Sequence, residues 1–121
     1  MKRILIVEDD PDMQAIYKFM FKDEAQRYAL QITGDTARAM KSVRQQRFDL
    51  IISDIIMADM AGQSFLSRVR EEGRGGVPIL VVSVLNPDML VQLKKMRRVY
   101  FLQKPITKEK LLKMINRILR P

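Results

Sequence analysis

The stretch Ile4-Leu5-Ile6-Val7-Glu8-Asp9-Asp10-Pro11 sets the architecture. Four aliphatic residues without a polar interruption read as a strand buried on both faces, because a strand with one wet face alternates apolar and polar residues. The run stops at three acids. Asp10 is a good helix N-cap, Pro11 suits the first helical position, and Met13, Ile16, Tyr17 and Met20 then recur at helical spacing. The segment is a buried strand, an acidic turn and an amphipathic helix.

The same unit recurs down the chain. Tyr28 to Thr33 reads as a second strand broken by Gly34, followed by a helix capped at Asp35 or Thr36 with Ala37, Met40 and Val43 inward. Phe48 to Ser53 reads as a third buried strand ending at Asp54, and Phe65, Leu66 and Val69 mark the helix after Gly62. Gly73, Gly75 and Gly76 make a turn, and Pro78 leads into the strand Ile79 to Ser83. Asn86-Pro87 then starts a helix carrying Leu90, Leu93 and Met96. Tyr100 to Leu102 forms a short fifth strand closed by Lys104-Pro105, and Thr107 caps a last helix with Leu111, Leu112, Ile115, Ile118 and Leu119 inward. Strands alternating with helices, several of them wholly apolar, imply a doubly wound α/β domain with a five-stranded parallel sheet and five helices. No linker or repeat divides residues 1–121, so one domain is expected with no second, output domain in this chain.

Composition narrows the chemistry. With 121 residues, 47% hydrophobic and 30% charged, the chain has the makeup of a single folded domain. No apolar run approaches the ~20 residues that span a bilayer, so no membrane association and a cytoplasmic location are expected. The absence of Cys and His removes disulfides, thiolate and imidazole metal sites and histidine general bases. Carboxylates, Lys, hydroxyls and a hard metal ion remain. The net charge of +8 is unevenly spread: residues 94–120 hold ten Lys and Arg against Glu109 alone, and residues 1–93 are close to neutral.

In such sheets ligands bind beyond the carboxyl ends of the strands. The polar residues there are Glu8, Asp9 and Asp10, then Asp54, Ser83 and Lys104. If the first and third strands are neighbours, Glu8, Asp9 and Asp54 converge, and close carboxylates either raise one another's pKa or hold a cation. With only oxygen donors available, Mg²⁺ is the natural guest. Lys104 and Ser83 facing the same cluster would complete a phosphate site. Taken singly, Glu8 and Asp9 also read as solvated loop acids, Asp10 as a cap, Ser83 as a backbone partner and Phe101 as core.

Together "ILIVEDDP" (4–11), "DLIISDIIM" (49–57) with Gly62 following, "PILVVSV" (78–84) and "YFLQKPI" (100–106) resemble the receiver domain of two-component response regulators, over essentially the whole chain. The resemblance implies a flavodoxin-like strand order 2-1-3-4-5. It implies that Asp54 is the phosphoacceptor, taking a phosphoryl group from a sensor histidine kinase, a phosphotransfer protein or a small acyl phosphate. It implies Mg²⁺ held by Asp9, Asp54 and the backbone carbonyl of Ile56, with Glu8 acting through metal-bound water. Lys104 would contact the phosphoryl group across a cis Lys104–Pro105 bond, and Ser83 with Phe101 would be the switch pair. The domain would be a phosphorylation switch and not an enzyme, with the face of the fourth helix, fifth strand and fifth helix responding.

The chain departs from the family pattern in places. Met57-Ala58 and Ala61-Gly62 replace the usual Met-Pro and Asp-Gly, Val84 replaces a small residue, and Arg97-Arg98 replaces a Gly-Ala turn. These leave open a degenerate receiver that docks partners without phosphate. Apolar Ile56 and Leu85, which by resemblance flank the path of the hydrolytic water, suggest a long-lived phosphoform. The basic residues Lys94, Lys95, Arg97, Arg98, Lys108, Lys113 and Arg117 fall on the responding face. They imply a monomer that repels its own copy and docks an acidic partner protein, and nucleic acid is disfavoured because no aromatic or recognition helix accompanies the charge.

Overall fold

The computed structural model describes residues 1–54, 62–72, 76–84 and 87–120. Five parallel strands, β1 (Lys2–Val7), β2 (Tyr28–Thr33), β3 (Leu50–Ser53), β4 (Ile79–Ser83) and β5 (Val99–Gln103), lie in the order β2-β1-β3-β4-β5. The helices are α1 (Pro11–Phe21), α2 (Thr36–Gln45), α3 (Gly62–Glu72), α4 (Pro87–Lys94) and α5 (Lys108–Ile118). The doubly wound sheet and the order 2-1-3-4-5 are those expected from the sequence.

The continuous apolar strands split by period two between two cores. Leu5, Val7, Ile51, Ile79 and Val81 face α2, α3 and α4, where Ala39, Met40, Val43, Phe65, Leu66, Val69 and Leu93 close over them. Ile4, Ile6, Leu50, Ile52, Leu80 and Val82 face α1 and α5, meeting Met13, Tyr17, Met20, Phe21, Leu111 and Ile115. Burying a side chain of this size contributes ~1.5–3 kcal/mol.

Several local expectations shift. Asp35, and not Thr36, caps α2, its Oδ1 accepting from the Ala37 N–H at 2.8 Å. Ala37 lies exposed, while Met40 and Val43 are buried. β3 starts at Leu50 rather than Phe48: Asp49 Oδ2 accepts from the Arg3 N–H at 2.8 Å, so a side chain takes the donor a strand partner would use. Met96 falls beyond the end of α4, β5 extends one residue at each end, and Leu119 is the C-cap of α5. Ile16, expected inside, is 44% exposed. Gly73, Gly75 and Asn86 lie outside the described residues. Among the described residues no helix is long and apolar enough to cross a membrane.

Candidate functional site

Four strand ends carry the site. Val7 pairs with both Thr33 and Ser53, so the backbone continues from β1 and β3 side by side into Glu8 and Asp54. Ser83 ends β4 opposite Gln103, and its carbonyl accepts from the Lys104 N–H at 3.0 Å. Each side chain is placed by the residue that terminates a hydrogen-bonded ladder.

At the centre lies Asp54. Its Oδ2 accepts from Lys104 Nζ at 2.6 Å and its Oδ1 from the Ser83 hydroxyl at 2.6 Å. Lys104 Nζ also reaches Glu8 Oε1 at 3.3 Å. Glu8 is 2% exposed and Asp54 8% exposed, so two buried carboxylates share one ammonium. Burial pushes the Glu8 carboxyl above its ordinary range and the Asp54 charge adds to that, against the Asp10 N–H and Lys104, which favour the ion. Burial alone would lower the Lys104 ammonium. Its hydrogen bond to Asp54 and the charges of Asp54 and Glu8 outweigh that and raise it. The Lys104–Pro105 bond is cis.

The acidic turn is held from outside. Asp10 caps α1, its Oδ1 accepting from the Asp12 N–H at 3.0 Å, which is the structural role expected of it. Gln14 Nε2 donates to the Glu8 carbonyl at 2.6 Å. A Cβ on Gly34 would sit 3.2 Å from Asp9 Cα and 3.3 Å from the Glu8 carbonyl, so the glycine lets the end of β2 approach this turn. Tyr17, buried on α1, has its phenol held strongly in the neutral form by burial and by the charges of Glu8 and Asp54. Gln14, Tyr17 and Gly34 are site residues the sequence did not disclose. Gln14 sits one turn beyond the cap, which is the only signal it offered.

Asp9 is partly buried in the turn. Among the described residues no group of three or more carboxylates is close enough to share a metal. Ile56, the expected carbonyl ligand, and Leu85 lie outside the described residues. Glu8 and Asp54 meet on Lys104, and the expected convergence of Asp9 with them is not seen among the described residues; the pair offers only oxygen donors, two carboxylates against one ammonium. That surplus negative charge fits a hard cation that retains several waters, such as Mg²⁺.

Phe101 is partly buried and packs with Met96 and Val99 against the α2–α4 core. Val84 is 61% exposed and joins Met13, Ile16, Lys104, Pro105 and Ile106 around an apolar groove of about 320 Å³ beside the site. Lys94, Lys95, Lys113 and Arg117 are exposed, and Lys108 Nζ lies 3.7 Å from Asp23. Arg97 and Arg98 turn away from these toward α3, where they line a separate cavity.

Comparisons with known proteins agree on one family. The sequence profile of the response regulator receiver domain matches residues 4–116. The chemotaxis protein CheY4 of Vibrio cholerae superposes with a TM-score of 0.86 at 29% identity, covering 98% of this chain and 99% of that one. The receiver domain of the sensor histidine kinase PA1611 from Pseudomonas aeruginosa PAO1, solved with a magnesium ion in its active-site cleft, gives 0.84 at 26% identity, covering 99% and 98%. The sensor histidine kinase TmoS of Ectopseudomonas mendocina is 33% identical over 93 residues, which are 76% of this chain and 9% of TmoS. The chain spans 9%, 53% and 24% of the length of three curated relatives it matches.

Proposed function

This chain belongs to the response regulator receiver domain family, and from that premise we propose that it is a Mg²⁺-dependent phosphorylation switch with Asp54 as phosphoacceptor. The observation that carries the reading is the double contact on Asp54, with Lys104 Nζ and Ser83 Oγ each 2.6 Å from one carboxylate oxygen. An Asp54 oxygen attacks the phosphorus, an O–P bond forms, and the bond to the donor's imidazole nitrogen or acyl oxygen breaks. Both oxygens of Asp54 are already engaged. The phosphoryl group therefore displaces one contact, and the freed Ser83 hydroxyl or Lys104 ammonium turns to a phosphoryl oxygen. Lys104 enters the reaction protonated, since its hydrogen bond to Asp54 and the charges of Asp54 and Glu8 favour the ammonium.

Asp9 and Asp54, with the Ile56 carbonyl, would hold the Mg²⁺ and Glu8 would act through its water. The ion supplies neutralisation of phosphoryl charge. The donor is a sensor histidine kinase, a phosphotransfer protein or a small acyl phosphate. Protein donors reach Asp54 past the groove of Met13, Ile16 and Ile106. Motion of Ser83 toward the phosphate leaves space for Phe101 behind it, which carries the change to the face of α4, β5 and α5. The exposed Lys94, Lys95, Lys113 and Arg117 there suit an acidic partner and disfavour a second copy of the chain.

Incubation with Mg²⁺ and a small acyl phosphate should add one phosphoryl mass, lost in Asp54→Asn and in Asp9→Asn. An Asp54→Asn protein modified as fully as the parent overturns the assignment. A second reading, a receiver that docks constitutively without phosphate, draws on Val84 at the rim of the groove. It predicts no added mass on a folded parent protein. Sedimentation of the phosphorylated form at low salt should show a monomer, and a tight symmetric dimer through α4–β5–α5 refutes that part.

A further inference from the structure

The cavity between α3 and the start of β5, of about 700 Å³, lies at the opposite end of the sheet from Asp54, beside the first residues of β4 and β5. Ser67, Arg70, Glu71, Met96, Arg97 and Arg98 line it. Its cations are fixed by the main chain rather than by acids. Arg70 donates through Nε to the Arg97 carbonyl at 2.8 Å and through Nη2 to the Val77 carbonyl at 2.6 Å. Arg98 donates through Nη1 to the Gly76 carbonyl at 2.7 Å. Among the described residues, neither these two nor Arg97 forms an ion pair with a carboxylate.

Arg98 has φ +55°. The left-handed region disfavours a side chain there, and glycine would occupy it without strain. Strain at such a point is retained where the side chain is used. Here it delivers a second guanidinium to the cavity that Arg70 already faces. Burial, then Arg98 and Arg97, hold Arg70 below its ordinary pKa, the electrostatic sign of a cluster of cations lacking its anion.

We propose that this cavity binds a nucleoside diphosphate, its phosphates held by Arg70, Arg97 and Arg98. Guanidinium N–H groups match phosphate oxygens, and those that the carbonyls do not take, Nη1 of Arg70, Nε and Nη2 of Arg98 and the head of Arg97, would supply them; two of these three side chains are positioned before any ligand arrives, which lowers the entropic cost of binding. A volume of about 700 Å³ suits a ligand of cofactor size. Met96 offers an apolar surface for a base, and on the same rim the Ser67 hydroxyl and the Glu71 carboxylate can accept from the hydroxyls of a sugar. The site is independent of the phosphoacceptor reading, because no residue of the Asp54 cluster lines it.

The test is calorimetric titration at low salt in EDTA, with ADP, inorganic pyrophosphate, adenosine and a single-stranded oligonucleotide as separate probes. ADP and pyrophosphate should bind saturably and adenosine should not. Arg97→Gln and Arg98→Gly should each weaken ADP by about tenfold or more, the loss of one charge-assisted hydrogen-bonding group. Arg98→Gly removes the left-handed strain, so its melting temperature should stay level or rise, which separates lost binding from lost folding. Asp54→Asn should bind ADP as the parent does. No saturable ADP binding overturns the proposal. So does equal weakening by Lys113→Gln, which would reduce the effect to the general positive field, and so does an oligonucleotide that binds far more tightly than ADP.

Discussion

The two ends of the sheet treat charge in opposite ways. At the carboxyl ends of the strands, Glu8, Asp54 and Lys104 follow three different strands, and Lys104 Nζ reaches both carboxylates within 3.3 Å. At the amino ends, Arg70 and Arg98 contact main-chain carbonyls, and among the described residues neither forms an ion pair, although Glu71 lines the same cavity. Acidic chemistry at one end is thus a coupled network, in which each charge depends on the others. At the basic end the cations are anchored on main-chain carbonyls, and the exposed Arg98 side chain is removable without leaving a buried charge unpaired.

Removing Lys104 should show the coupling most strongly. Lys104→Met leaves two buried carboxylates facing each other, and about 3 kcal/mol of stability should be lost at neutral pH in urea unfolding. The loss should shrink as pH falls and the carboxylates protonate. A loss no greater than that of an exposed arginine would abolish the contrast between the two ends.

Glu8→Gln acts in the other direction. The folded pKa of Glu8 is raised, so the folded state binds the proton more tightly than the unfolded chain and the ionised side chain opposes folding above that pKa. The variant should be more stable than the parent near neutral pH. The gain should disappear below the ordinary carboxylate range, where Glu8 is protonated in both states. Melting curves across that pH range check it, and a variant less stable than the parent at neutral pH breaks the argument.

The smallest effect belongs to the basic end. Arg98→Gly exchanges one exposed hydrogen bond for relief of a left-handed backbone worth roughly 1 kcal/mol, and urea unfolding should show no net loss. A loss beyond about 1 kcal/mol would mean that the amino end is as coupled as the other.

Much of this was legible in the sequence, because buried parallel strands announce themselves as unbroken aliphatic runs and each ends at its first polar residue. Ile4 to Val7 and Ile79 to Ser83 placed Glu8 and Ser83 without further help. Phe48 misled because an aromatic beside an apolar run looks like its continuation, while the Asp49 side chain bonding Arg3 was invisible. Ile16 misled for a different reason. Its helical spacing is that of the inner face, but Tyr17 and Met20 fill that face, and Ile16 borders a groove shared with Pro105 and Ile106, some ninety positions away. Arg70 reaching the carbonyls of Arg97 and Arg98 is likewise a long-range fact with no local signature.

The period-two division of the strands between two apolar cores carries a consequence for pairing fidelity. In a sheet with one wet face, slipping a strand by one position exposes its apolar set, and the hydrophobic effect forbids it. Here Leu5 and Ile6 would merely trade cores, and hydrophobicity alone would tolerate the error. The penalty falls on the ends instead: a one-step shift of β3 toward β1's start would carry Asp54 between Val7 and Val81, an unpaired carboxylate among hydrocarbon. The acids that form the site thus also act as the stops that index the sheet.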